Sequence, residues 1–143
     1  MKKFEFSMDK ILDLRRFEQK QAEGELGKIN SQIAALQNQL KEIAASHARI
    51  VEQGRGCKDF SFISQSQQYF TLLDAKKEEI FKQIAELEII ADQRRQVVKE
   101  AMQKVKVLEK LREKKFNQWK EDTLKEEETE AEDIVTSRFG FKE

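Results

Sequence analysis

The sequence contains no proline, five glycines and one cysteine in 143 residues. A β-sandwich or a doubly wound sheet needs turn residues at roughly every ten positions, and glycine and proline are the residues that most often supply them. Their scarcity therefore excludes folds built from many short elements. With Cys57 as the lone cysteine, no intramolecular disulfide is possible, which fits a reducing compartment.

Catalytic groups are equally scarce. Zinc sites require several His, Cys or carboxylate ligands, and His47 is the sole histidine, with no cysteine at ligand spacing. Cys57 has no histidine or oriented base near it in the sequence, as a nucleophilic cysteine requires. No glycine-rich phosphate-binding motif occurs. We predict a protein that is not an enzyme, with no catalytic residue, no metal site and no cofactor.

Long hydrophobic runs and net charge are also missing. No apolar stretch approaches the roughly 20 residues of a membrane span, and the first residues lack the apolar region of a signal peptide. The 27 basic and 27 acidic side chains cancel. Basic residues of the 99–115 stretch are interspersed with acids and lack stacking aromatics. We therefore expect a cytoplasmic protein with no direct membrane insertion and no nucleic-acid partner.

What the sequence does contain is charge and helix-forming residues. Charged residues make up 38% of the chain, and Ala, Glu, Lys, Leu and Arg supply nearly half of it, which is typical of coiled coils. Helical periodicity lapses only around Gly54 and Gly56. We predict an all-α fold, a single domain over 1–143, in which two long helices form an antiparallel coiled-coil hairpin. The predicted bounds are a helix at about 7–53, a turn at about 54–63, a longer helix at about 64–133 and a flexible tail at about 134–143. Ser64 and Gln67 are the expected capping box of the second helix.

The hairpin is predicted from apolar residues that alternate at spacings of three and four, the pattern of a coiled-coil seam. In the first helix these positions are Leu26, Ile29, Ile33, Leu36, Leu40, Ile43, His47 and Ile50. In the second they are Phe70, Leu73, Lys77, Ile80, Ile84, Leu87, Ala91, Arg94, Val98, Ala101, Val105 and Leu108. Since a short turn joins the helices, they must be antiparallel, with Leu36 near Ile80 and Met8 near Leu108.

The N-terminal residues carry more apolar surface than one partner helix can cover. At 100° per residue, Phe4, Met8 and Ile11 share the seam side, whereas Phe6 and Phe17 point nearly opposite. Two interpretations remain open. Phe116 and Trp119 stack against Phe4 and Phe6 and close this end of the hairpin, or the surface enters a second protein.

Charge is segregated along the second helix. Residues 99–115 carry seven bases against three acids, and residues 120–133 carry eight acids against two lysines. The predicted second helix is longer than the first, so the segment after Lys115 has no predicted seam partner. A single helix without a partner is marginally stable in water. We expect it to fray unless a partner docks on it.

Both ends resemble one family. Residues 4–18, FEFSMDKILDLRRFE, resemble the opening of the flagellar export protein family FliJ, with an aromatic pair followed by apolar positions leading into Arg and Glu. Residues 108–116 and the segment from Trp119 through Glu132, Asp133, Ile134 and Val135 to Arg138 resemble its closing segment. The resemblance covers nearly the whole chain.

The resemblance implies a component of the flagellar type III export apparatus, a stalk-like adaptor between export ATPase and membrane export gate. Implied partners are the flagellar export ATPase, the membrane export gate protein and export chaperones, which the protein would escort, and it would be peripheral on the cytoplasmic side of the membrane. The implied ATPase-ring-facing residues are Phe4, Phe6, Met8, Ile11, Leu14, Phe116 and Trp119. The implied gate-facing residues are Tyr69, Leu73 and Ile80, although Lys76 departs from the small residue the family has there.

Two alternatives belong to other functional classes or systems. A prefoldin-like holdase would clamp unfolded export substrates between its helices and suppress aggregation without an ATPase. The equivalent stalk of a virulence type III secretion system would differ in partner rather than mechanism, and neighbouring genes would distinguish it.

Overall fold

A computed structural model describes residues 2–140, which form two α-helices and no strand. Helix α1 spans Asp9–Gln53 and helix α2 spans Phe60–Gly140, so α2 is the longer by 81 residues to 45. The helices pack antiparallel in a helical hairpin, which confirms the predicted all-α class and the unequal lengths. Residues 141–143, part of the predicted tail, lie outside the described residues.

The start of α2 differs from the prediction. The helix begins at Phe60 because Asp59 caps it: the backbone N–H of Ser61 donates a hydrogen bond to Asp59 Oδ1 at 3.1 Å. Ser64 lies inside α2, so the capping-box prediction was wrong. A Ser-x-x-Gln sequence is also tolerated within a helix, whereas Asp59, five residues before Ser64, supplies the acceptor that caps α2.

The end of α2 also differs from the prediction. Residues 134–140, expected in the flexible tail, are helical through Gly140. No proline occurs anywhere in the chain, and no glycine lies between Gly56 and Gly140. Because proline and glycine are the residues that most disfavour helix propagation, nothing in the sequence stops α2 earlier.

Backbone hydrogen bonds stabilise the connection between the two helices. The N–H groups of Gly54 and Cys57 donate to the carbonyl oxygens of Ile50 and Gly54 at 2.9 and 3.1 Å. Gly56 has φ = 74°, a left-handed conformation that glycine adopts without steric cost. At Gly54, an added Cβ would lie 3.1 Å from Phe62 Cε1. The left-handed φ angle therefore favours glycine at position 56, whereas at position 54 a larger residue would require Phe62 to shift by a few tenths of an ångström.

The glycines of α1 are in a different situation, because an added Cβ at Gly24 or Gly27 meets nothing within 4 Å. We expect Gly24→Ala and Gly27→Ala each to raise the free energy of unfolding by about 1 kcal/mol, the helix-propensity difference. Gly56→Ala should lower it by about 1–2 kcal/mol because of the left-handed strain. Urea unfolding followed by circular dichroism measures all three. A loss of stability in Gly24→Ala would contradict the open space seen there.

The described residues form two compact units, residues 21–99 and residues 2–20 with 100–140. In the first unit the seam packs as predicted. Ile43, Leu73 and Ile80 form a buried cluster, against which four further apolar side chains pack: Leu36, Leu40, Phe70 and Ile84. The predicted proximity of Leu36 to Ile80 agrees with this cluster.

The three polar residues at predicted seam positions, His47, Lys77 and Arg94, are half-buried or exposed, and none of them is fully buried. The ring of His47 lies 4.3 Å from that of Phe70, tilted by 36°, which is the structural role expected of the sole histidine. Lys77 is half-buried, whereas Arg94 is exposed, the one predicted α2 seam position that is. Long basic side chains extend along apolar surface toward water, so a seam position need not bury their charge.

The second unit joins the N-terminal residues to the distal part of α2. Leu12 is 1% exposed, and Phe6 and Val105 are also buried. Residues 2–6 are not helical, and the chain turns at Ser7 and Met8 into α1, where the N–H of Asp9 donates to the carbonyl of Phe6 at 3.1 Å. Beyond Thr123, every described side chain of α2 is exposed.

Candidate functional site

An aromatic cluster fixes the N-terminal residues on α2. The ring of Phe4 meets that of Phe116 edge-on at 5.2 Å and lies 5.8 Å from that of Trp119. Phe116 and Trp119 stack on each other at 5.8 Å because a spacing of three brings them to one face of the helix. The arrangement matches the preferred edge-to-face and offset geometries of aromatic pairs. The predicted stacking of Phe116 and Trp119 is confirmed for Phe4.

Arg112 links the aromatic cluster to the first turn of α1. Its guanidinium carbon lies 5.5 Å from the centre of the Phe4 ring, and its Nε donates to Asp9 Oδ1 at 3.2 Å. A second ion pair joins Arg16 to Glu109 at 3.3 Å. Both pairs join α1 to α2, and because they are exposed each contributes at most about 1 kcal/mol. Arg112 was not predicted as a site residue, because its only signal in the sequence is its position opposite Asp9 in the antiparallel pairing.

The predicted ring-facing residues separate into two sets in the structure. Phe6 is buried, and Phe4 and Trp119 are half-buried in the aromatic cluster. Exposed side chains form the other set, which consists of Met8, Ile11, Leu14 and Phe116. The orientation predicted for Phe6 was wrong, because the 100° helical period does not apply before α1 begins.

Two members of the exposed set, Met8 and Ile11, line an apolar groove between the paired segments. Met8, just before α1, and Ile11, in the first turn of α1, face Val107 and Leu108 on α2, in a depression of about 460 Å³. The predicted proximity of Met8 to Leu108 is confirmed by this groove. Phe17, on another face of α1, is 58% exposed. Apolar side chains that are exposed together in this way are typical of protein-interaction surfaces.

The three predicted gate-facing residues line a single groove in the unit of residues 21–99. Tyr69, Leu73 and Ile80 surround a depression of about 460 Å³ together with Ile43 and Lys76. Tyr69 is exposed, whereas Leu73 and Ile80 are only 4% and 8% exposed because they also form the seam. Tyr69 is therefore the side chain of the three that offers a partner substantial surface, and the other two form the floor of the groove.

Within residues 2–140, no three His, Cys, Asp or Glu side chains are grouped so that they could hold a metal ion. Neither α1 nor α2, over the range described, contains a stretch apolar enough to cross a membrane. Cys57 is a free, half-buried thiol in the connection between the helices.

Comparison with known protein families gives one match over nearly the whole chain. The family model described as flagellar FliJ protein matches residues 4–143. The match includes both the aromatic cluster and the groove around Tyr69. No curated protein is significantly similar to the chain. No solved structure is significantly similar either.

Proposed function

The chain belongs to the flagellar FliJ family, a non-enzymatic component of the flagellar export apparatus, and we propose that it acts there as a stalk-like adaptor. In this proposal the exposed set on the 2–20 and 100–140 unit binds the hexameric export ATPase, and the groove around Tyr69 binds the membrane export gate. The protein also escorts export chaperones, is peripheral on the cytoplasmic side of the membrane, and is needed for flagellum assembly and motility.

The observation that carries the proposal is the exposed apolar surface of α1 near its start. Ile11 and Leu14 are 45% and 52% exposed, although Leu12 between them is buried. A helix that packs on one partner helix buries one stripe, so a second apolar stripe indicates a further protein partner. Interaction surfaces of this kind depend on a few apolar anchors surrounded by polar residues. Asp9, Arg15 and Arg16 provide such a polar surround.

Separate substitutions in the two surfaces test the proposal. Ile11→Ser with Leu14→Ser should weaken binding to purified flagellar export ATPase at least about tenfold and leave binding to the gate unchanged. Tyr69→Ser should do the reverse. Phe81→Ser is the matched control, because Phe81 is 57% exposed and belongs to neither surface. If adding the wild-type protein changes neither the assembly nor the turnover of the export ATPase, the adaptor role is refuted.

The same preparations test the holdase alternative. A holdase would suppress aggregation of unfolded export substrates in the absence of any ATPase, and the two surface variants would then lose that activity together. The family match favours the flagellar system over the virulence system for the adaptor.

A further inference from the structure

The distal part of α2 presents a face that no described residue covers. The first half of this face contains Lys106, Lys110 and Lys114, at spacings of four. The second half begins seven residues later, two turns along the helix, and contains side chains at spacings of three and four: Glu121, Leu124, Glu128, Ala131, Val135 and Phe139. All of these side chains are exposed. Val105, Leu108 and Trp119, which pack toward the N-terminal residues, lie on the other side of the helix. This outer face therefore stays free when the N-terminal residues are docked.

The two halves of the outer face differ in chemistry. The first half is basic, with three lysines at spacings of four. The second half is acidic and apolar: Leu124, Val135 and Phe139 are 55%, 52% and 68% exposed, and Glu121 and Glu128 lie among them. An exposed helix with three large apolar side chains on one face is marginal in water without a partner.

The outer face is complementary to itself in one orientation. We propose that a second copy of this chain covers it, with the two α2 helices antiparallel about a two-fold axis level with Trp119. The basic half of each copy then lies against the acidic and apolar half of the other, as in an isologous dimer. Lys110 of each copy lies level with Glu128 of the other, so this pair forms twice.

The charges exclude the parallel arrangement. Parallel helices in register would place the three lysines of one copy beside those of the other, and like charges at such distances repel. In the antiparallel arrangement, the lysine side chains extend their methylene groups over Leu124 and Val135 and place their ammonium groups near the glutamates. The outer face contains no member of the exposed set (Met8, Ile11, Leu14 and Phe116) and not Tyr69, so the dimer does not rest on the adaptor role.

Charge exchange between Lys110 and Glu128 tests the dimer. Sedimentation equilibrium of the full chain over about 1–300 µM should show a monomer–dimer equilibrium. Lys110→Glu and Glu128→Lys should each raise the dissociation constant at least about tenfold, because each turns two attractive pairs into two repulsive pairs. The double variant Lys110→Glu with Glu128→Lys restores opposite charges and should return the dissociation constant to within about threefold of the wild type.

Glu86→Lys is the matched control, because it makes the same change of charge at an exposed position of α2 outside the outer face. It should leave the dissociation constant unchanged. Circular dichroism of each variant establishes that the monomer keeps its helical content. A wild-type protein that stays monomeric throughout the range would overturn the proposal. A dimer that tolerates both single variants, or that the double variant fails to restore, would overturn it as well.

Discussion

Leu73→Ala should lower the free energy of unfolding by about 2–4 kcal/mol, one of the largest losses we expect from a single substitution in this chain. Leu73 is 4% exposed and belongs to the cluster with Ile43 and Ile80. Truncation to alanine removes three carbon atoms from that cluster and leaves a cavity that the surrounding helices fill only in part. Urea unfolding monitored by circular dichroism at 222 nm measures the loss.

The neighbouring leucine is the control for this prediction. Leu72 is 52% exposed, and Leu72→Ala should change the free energy of unfolding by less than about 0.5 kcal/mol. Both substitutions replace leucine with alanine in the same turn of α2, so helix propensity and the unfolded state change equally. Equal losses in the two variants would show that the seam does not run through Leu73.

The packing of the hairpin was predictable because its signal is local. Each of the eight predicted seam positions of α1 is buried or half-buried, since a spacing of three and four places side chains on one stripe wherever the chain is helical. The antiparallel pairing followed from the short connection, and the cluster around Ile43 and Ile80 agrees with it. The start of α2 was less predictable, because Asp59 and Ser64 both lie before helical sequence and only side-chain geometry identifies the cap.

The candidate surfaces were harder to predict for two physical reasons. The orientation of Phe6 was predicted from a helical period, but Phe6 lies in a segment that is not helical, and its side chain is buried. Leu73 and Ile80 carry the apolar character expected of a partner-binding stripe, but the same character makes them seam residues. Sequence alone does not separate these roles, because both require apolar side chains at helical spacing. The exposed fraction of each side chain distinguishes the two roles: Tyr69 is exposed, whereas Leu73 and Ile80 are buried in the seam.

The unit of residues 2–20 and 100–140 should lose as much stability as the seam when Phe4 of the aromatic cluster and the buried Phe6 are both removed. Phe4→Ala with Phe6→Ala should lower the free energy of unfolding of the 2–20 and 100–140 unit by about 3–5 kcal/mol. Phe6 is 8% exposed, and Phe4 loses ring contacts at 5.2 and 5.8 Å as well as its contact with Arg112. Without these side chains, nothing apolar holds residues 2–6 against α2.

The fluorescence of Trp119 measures the detachment of residues 2–6 from α2, because Trp119 is the single tryptophan of the chain and lies in the aromatic cluster. Its fluorescence should shift to longer wavelength and become more accessible to acrylamide in the double variant, before any unfolding of α2. Phe17→Ala is the control, because Phe17 lies near the start of α1, is 58% exposed and should leave the emission of Trp119 unchanged. An unchanged emission in the double variant would mean that Phe4 does not cover Trp119 in solution. The aromatic pair would then be free for a partner, which is the alternative that the sequence left open.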